Sequence, residues 1–372
     1  MPWCVKKCPY CDFNSHGVTG DIPEKAYIDA LLRDFHCELQ AVGAERPIHS
    51  VFIGGGTPSL LSASAYQRLF AGLHAQIRFA NDIEITMEAN PGTYEHDRFQ
   101  AYLDAGVNRL SLGVQSFQDD KLTALGRIHR ADEARQAIAA ITGAGFGNIN
   151  IDLMHGLPGQ SPDDALYDLQ QAIDLQPAHI SWYQLTIEPN TVFYAKTPVL
   201  PPDDILWDIQ EAGQALLASA GFVQYEISAY SQPGRRSQHN LNYWQFGDYL
   251  GIGAGAHGKL TDALTGQITR NWKTRMPADY LAANGSASRN FEAGRRVLEP
   301  DELPIEFMMN ALRLHEGVDA RFYSERTGQS LDNISKPLQL ARHKGLLDAR
   351  SDRLKPTPTG RLFLNDLLEM FA

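Results

Sequence analysis

The sequence predicts an α/β protein: an incomplete (β/α)6-type barrel with a small helical, winged-helix-like domain at its C-terminal end. Three observations carry this expectation. Short apolar runs alternate with amphipathic helical stretches between about residues 50 and 227, the pattern of parallel βαβ units. Polar and Gly-rich residues stand just after the strands, where barrel sites gather. From Leu298 onward the pattern is helical. An open doubly wound sheet is the alternative.

The first element is a loop. Cys4, Cys8 and Cys11 follow the spacing Cys-x3-Cys-x2-Cys, and Pro9 forbids a regular helix between them. Pro23 to Val42 reads as a helix with Ala26, Ile28, Leu31, Leu32, Phe35 and Leu39 on its apolar positions, and Cys37 inside that pattern reads as packing. Ser50 to Ile53 is a strand entering the turn Gly54-Gly55-Gly56, and Ser62 to Ile77 a helix. The same alternation gives a strand at Ile83 to Met87, a helix at Glu95 to Ala105, a strand at Leu110 to Val114 and a helix at Ala131 to Gly143. It continues with a strand at Ile149 to Met154, a helix at Asp163 to Leu175 and a strand at Ile180 to Leu185. A helix at Asp203 to Ala220 and a short strand at Gln224 to Ile227 end the series. Ser228 to Gly258 breaks into Gly-, Asn- and aromatic-rich sequence. Asp301 to Leu314, Asp319 to Thr327, Ser330 to His343 and Thr359 to Phe371 read as short helices, with a small hairpin at Leu347 to Lys355. Three regions are expected: 1–230, 231–297 and 298–372.

Composition narrows the function classes. A 43% hydrophobic content supports a sizeable core, and a net charge of -11 argues against phosphate-driven nucleic-acid binding. Four cysteines in 372 residues do not make a disulfide framework, so a reducing cytoplasm is expected. No apolar run approaches a membrane span and no apolar signal region opens the chain; peripheral membrane contact is left open.

Three clustered thiols suit a soft metal centre. A cubane iron–sulfur cluster usually takes four cysteines, so three would leave one iron open to a ligand. Zinc completed by His16, Asp12 or Cys37, or plain thiols, are the alternatives. The turn Gly54-Gly55-Gly56-Thr57-Pro58 exposes N–H groups to a carboxylate or phosphate without being a Walker loop. Glu88, Gln115, Arg127 and Asp152 stand at or past strand ends on the same rim, a set that fits a ligand with an amine, a carboxylate and hydroxyls.

In combination these features resemble the radical S-adenosylmethionine superfamily. The similarity is carried by the three-cysteine loop, by Gly54 to Pro58, by Glu88-Ala89-Asn90-Pro91-Gly92, by Gly113-Val114-Gln115-Ser116-Phe117, by Asp152 to Pro158 and by the helical tail. The resemblance implies a 4Fe–4S cluster held by Cys4, Cys8 and Cys11, with S-adenosylmethionine on the open iron. It implies that Gly55 and Glu88 contact that nucleoside, and that Tyr10, Gly56, Thr57, Gln115, Arg127 and Asp152 match the set which holds a second nucleoside in the oxygen-independent coproporphyrinogen III oxidases. Family members carry a strand and a tyrosine before the first cysteine. This chain opens Met1-Pro2-Trp3, so a barrel without its first strand, with an exposed edge, is expected.

The branch of oxidases also contains the HemW haem chaperones, and two features resemble the latter. Phe13 stands where the oxidases place a further cysteine, and His239-Asn240-Leu241-Asn242-Tyr243-Trp244 matches a block implicated in haem binding. The implied function is a haem chaperone that passes haem to an acceptor protein, a membrane-associated one included. The implied cofactors are the cluster, S-adenosylmethionine and haem. His239 is the leading haem ligand by this resemblance, with Tyr243 and Trp244 beside the porphyrin. His257, in the glycine-rich loop Gly251 to Gly258, is the rival. The alternative function is oxidative decarboxylation of coproporphyrinogen III by radical chemistry. Whether the chain is an enzyme is left open.

Overall fold

The computed structural model describes all residues except 19, 44, 93–97 and 287. Two short parallel strands, β1 (Trp3–Cys4) and β2 (His16–Gly17), bracket the cysteine loop. Helix α1 (Glu24–Val42) leads into β3 (Ile48–Ile53), α2 (Ala63–His74), β4 (Phe79–Ala89), α3 (Phe99–Ala105) and β5 (Arg109–Gln115). Then come α4 (Asp119–Ala124), α5 (Ala131–Gly143), β6 (Ile149–His155), α6 (Pro162–Asp174), β7 (His179–Gln184), α7 (Val192–Ala195) and α8 (Asp203–Ser219). The expected helix start at Glu95 lies outside the described residues.

The seven-stranded sheet has the order β3-β4-β5-β6-β7-β9-β8, with β8 at Val223–Gln224 and β9 at Ala229–Ser231. The first five strands are parallel, as the alternation predicts. The sixth unit differs from expectation. The Gln224 to Ile227 segment is mostly a turn, closed by Gln224 Nε2 donating to Ile227 O at 2.9 Å. The chain returns as β9, which pairs antiparallel with both β7 and β8 and takes the place beside β7.

The strands alternate. Ile85, Met87, Leu110, Leu112, Ile149, Ile151 and Ile180 face the helices in the main apolar cluster. Their neighbours Glu84, Thr86, Glu88, Arg109, Ser111, Asn150, Asp152, His179 and Ser181 share the concave face. A parallel sheet buried by helices on both faces would read as continuously apolar. The alternation therefore marks a sheet that is curled around a polar interior.

The region after β9 forms structure that its composition hides. Gln238–Trp244 is a helix, α9, capped by Ser237 Oγ accepting from Asn240 N–H at 3.4 Å, where a polar loop is expected. It is followed by β10 (His257–Thr261), β11 (Ile268–Lys273), α10 (Pro277–Ala282) and β12 (Glu292–Val297), whose strands make an antiparallel sheet. The tail holds α11 (Leu303–Ala311), β13 (Val318–Asp319), α12 (Arg321–Thr327), α13 (Ser335–His343), β14 (Arg353–Leu354), α14 (Pro358–Leu362) and α15 (Leu364–Glu369). Its expected hairpin reduces to one bridge, Leu347 to Pro356; β14 pairs instead with β13. Tyr225, Phe246, Ile268, Phe307, Tyr323, Leu338 and Leu367 belong to a second apolar cluster. Among the described residues no helix is long and apolar enough to cross a membrane.

A buried ionic network joins α1 to the antiparallel sheet. Lys273 pairs with Asp34 at 2.8 Å and with Glu38. Tyr280 OH donates to Asp34 Oδ2 at 2.6 Å, and Asn271 Nδ2 to Glu38 at 3.2 Å. Lys273→Met would leave two carboxylates buried without a cation, so we expect a loss of about 3–5 kcal/mol of folding stability in denaturant titration.

Candidate functional site

The cysteine loop lies over the C-terminal ends of the parallel strands and is anchored by the backbone. Thr57 N–H donates to Trp3 O at 2.6 Å, Phe193 N–H to Pro9 O at 3.0 Å, and Cys11 N–H to Cys8 O at 3.1 Å. Each sulfur has a polar neighbour. Thr57 Oγ1 donates to Cys4 Sγ at 3.5 Å, Arg127 Nη1 donates to Cys8 Sγ at 3.4 Å, and Ser15 Oγ lies 3.9 Å from Cys11 Sγ. At Cys11 burial wins and pushes the thiol up, against hydrogen bonds at Phe13 and Ser15. Among the described residues no group of three or more His, Cys, Asp and Glu side chains is placed to hold a single metal ion. Of the zinc candidates, His16 Nε2 lies 3.2 Å from Asn14 Oδ1 within the loop, and Cys37 Sγ lies where a Cβ on Gly285 would come within 2.6 Å.

The rim below the loop is one connected network. Arg127 Nη2 donates to Asn90 Oδ1 and to Gly113 O, both at 2.7 Å, and Asn90 Nδ2 donates to Thr57 Oγ1 at 3.0 Å. Gly55 N–H donates to Glu88 Oε2 at 3.0 Å. Gln115 sits where the β5–β6 register shifts, at φ 71°, in the left-handed region that a side chain rarely adopts. Asp152 accepts from Ser111 Oγ and Asn150 Nδ2, both at 2.8 Å; burial raises its carboxyl against these bonds. Tyr10 packs on Phe193 with ring centroids 6.3 Å apart, and burial pushes its hydroxyl up. The structure thus brings Tyr10, Gly55, Gly56, Thr57, Glu88, Gln115, Arg127 and the cysteines to one rim, with Asp152 on the concave face inside it.

The glycine turn carries a surprise. A Cβ on Gly55 would lie 2.8 Å from Met1 O, and one on Gly56 2.3 Å from Trp3 O. The backbone of residues 1–3 makes a close approach that these glycines permit. The Met1 ammonium donates to Gly54 O at 2.6 Å.

The haem candidates divide. His239 is buried on α9, where Nδ1 is 3.1 Å from Glu84 Oε1 and 3.0 Å from Ser237 Oγ, and its ring stacks on Phe52 at 4.4 Å. Burial lowers its pKa against the Glu84 carboxylate. Tyr243 touches His239 edge-on at 6.2 Å and Tyr249 at 4.8 Å, while Arg313 covers the Trp244 ring at 4.2 Å. His257 is exposed at the start of β10.

Four supporting residues escaped the sequence reading. Asn90 bridges Thr57 and Arg127. Asn14 Nδ2 ties the cysteine loop to Ala254 O at 3.0 Å and to Arg275 O at 2.9 Å. His129 Nε2 donates to Val114 O at 3.0 Å; burial, then Arg127, lowers its pKa to about 3, so it stays neutral. Asp168 accepts from Phe117 N–H and Ser116 Oγ, both at 2.7 Å, and so fixes the segment after Gln115. Its signal was a carboxylate on the apolar side of α6, between Ala165 and Ala172.

Two outcomes follow from this geometry. Burial first, and Asp152 second, raise the Glu88 carboxyl from 4.5 to about 7. The folded chain therefore holds this proton more tightly than the unfolded one, and the stabilisation is lost as pH rises through that value. Wild type should lose stability relative to Glu88→Gln between about pH 5 and about pH 8 in urea titrations; a pH-independent difference would contradict the raised carboxyl. Separately, Gln115→Gly should relieve left-handed strain and raise folding stability by about 1 kcal/mol, read by thermal melting.

Comparisons with known proteins bear on the fold and the family. The pattern of the Radical SAM superfamily matches residues 1–172, and that of the HemN C-terminal domain matches residues 298–363. The heme chaperone HemW of Escherichia coli is 52% identical over 371 residues, covering 100% of this chain and 96% of its own. HemW of Bacillus subtilis is 32% identical over 377 residues, covering 100% and 97%. Among solved structures, coproporphyrinogen III oxidase (HemN) from Escherichia coli, a radical SAM enzyme, superposes with a TM-score of 0.82 at 22% identity, covering 100% of this chain and 88% of that one. The chain belongs to the HemW family of the radical S-adenosylmethionine superfamily.

Proposed function

We propose that this chain is a cytoplasmic haem chaperone that carries a 4Fe–4S cluster and S-adenosylmethionine and hands haem to an acceptor protein. The observation that supports it most is the identity of 52% with a HemW over the whole chain. In this reading Cys4, Cys8 and Cys11 hold the cluster. The donors Thr57 and Arg127 at two of their sulfurs fit that task, because hydrogen bonds lower the cost of thiolate charge at a partly buried site. Gly55 and Glu88 meet the cluster-bound nucleoside, while Tyr10, Gly56, Thr57, Gln115, Arg127 and Asp152 line the space for a second. A cluster held by Cys4, Cys8 and Cys11 would be able to supply an electron to a sulfonium bound at its open iron. The chain's own contribution is positional: Arg127 locks the loop to the strand ends, Asp168 sets Gln115, and Glu88 holds the glycine turn. The three regions 1–230, 231–297 and 298–372 correspond to the cluster barrel, the haem-handling segment and the tail.

The chaperone reading is favoured over coproporphyrinogen decarboxylation by Phe13. It is 56% exposed and offers no thiol where the oxidases have one. With a net charge of -11, nucleic acid is not a partner in this reading.

Anaerobic reconstitution tests the proposal. The chain should take up about four iron and four sulfide, with a broad absorbance near ~400 nm. Cys4→Ala, Cys8→Ala or Cys11→Ala should abolish this, while Cys37→Ala should not. Added haem should bind at about one per chain with a Soret shift. Stoichiometric zinc without labile sulfide would refute the cluster. Multiple turnovers of coproporphyrinogen without haem binding would refute the chaperone and promote the oxidase.

A further inference from the structure

The cysteine loop is held from two sides. Cys4 and Cys8 are met by the barrel, through Thr57 Oγ1 at 3.5 Å and Arg127 Nη1 at 3.4 Å. Cys11 differs. Its sulfur lies 3.9 Å from Ser15 Oγ, a hydroxyl of its own short segment. Such a neighbour moves with the sulfur and does not fix it against the barrel. Backbone bonds from Cys11 N–H to Cys8 O at 3.1 Å and from His16 N–H to Pro2 O at 2.7 Å tie the segment only to the rest of the loop.

Asn14 carries the segment's anchor outside the loop. Its Nδ2 donates to Ala254 O at 3.0 Å and to Arg275 O at 2.9 Å, which uses both amide protons. Its Oδ1 lies 3.2 Å from His16 Nε2. Two carbonyls on one side and an imidazole on the other decide which end of the carboxamide carries the nitrogen. The carboxamide lies against Gly255, where a Cβ would come within 2.4 Å of Nδ2. Gly255 sits at φ 75°, so glycine suits it on both counts.

The ground that Asn14 grips is itself well braced. Gly255 N–H donates to Thr274 O at 2.9 Å, and Lys273 N–H to Ala256 O at 2.8 Å. Gly253 N–H donates to Tyr280 OH at 2.9 Å and to Asp34 Oδ2 at 3.2 Å, and Ala254 N–H to Tyr27 OH at 3.3 Å. The 253–256 turn is thus bonded to α1, to α10 and to the end of β11.

We infer that Asn14 is a positioning residue for Cys11, which it sets against the other two cysteines through the 253–256 turn. Two sulfurs take their place from the barrel, and the third takes it from the antiparallel sheet and α1. The inference rests on the cluster reading above. A cubane on three thiolates has no spare protein ligand. Loss of Asn14 leaves all three thiols in the chain and frees one of them, so its signature is iron lost from a folded protein.

The metal-free, reduced chain is alkylated with iodoacetamide, and each cysteine is followed by mass spectrometry. In Asn14→Ala, Cys11 should react several-fold faster while Cys4 and Cys8 keep their parental rates. Asn14→Asp has the same size but sets a carboxylate against two carbonyls, so it should act as Asn14→Ala does. Gly255→Ala, which displaces the amide from the other side, should do the same. After reconstitution each variant should lose iron to a chelator several-fold faster than the parent and should shift the electron paramagnetic resonance signal of the reduced cluster. Parental Cys11 reactivity in both Asn14 variants, or an equal rise at all three cysteines, would overturn the inference and leave the cluster reading in place. If the parental chain takes up no iron, the cluster reading falls, and the alkylation pattern still decides the tether.

Discussion

A guanidinium that must find acceptors fixes the rim. Arg127 bonds the Gly113 carbonyl, the Asn90 amide oxygen and the Cys8 sulfur, so one planar group spans two strand ends and the loop above them. A guanidinium removed from water without acceptors is costly, and its fork is rigid. The loop therefore takes its shape from the sheet as much as from its own turns. Asn90 passes the constraint to Thr57, and Thr57 passes it to the first cysteine.

The same economy recurs on the concave face. Ser111, Asn150, Asp152 and Ser181 bond one another across three strands, and His179 bonds Asn150 and Tyr225. Such networks are stable when every member is satisfied. They explain how an interior lined by carboxylates and imidazoles coexists with a sheet whose outer side is mainly apolar.

Much of this was legible in the sequence, for a physical reason. Five parallel strands separated by helices impose a periodicity that a single chain displays, and the rim residues follow their strands directly. Glu88, Gln115 and Asp152 were found that way. What stayed hidden depends on non-local pairing. Nothing local says that β9 would insert beside β7, or that β14 would choose β13 over its own hairpin. Composition around His239 reads as loop because Asn and His are weak helix formers; Ser237 and the packing on Glu84 make it a helix. The close approach that the 54–56 glycines allow was legible, but not that the backbone of residues 1–3 makes one of those approaches.

The position of α9 has a consequence for β4. Its residues His239 and Asn240 reach Glu84, Thr86 and Tyr225, at the end of the curled sheet opposite the cysteine loop. Glu84 and Thr86 are thereby committed to holding α9. Glu88, further along the same strand, holds the glycine turn beside the cysteine loop instead. One row of polar side chains on a single strand thus serves folding at one end and the rim at the other.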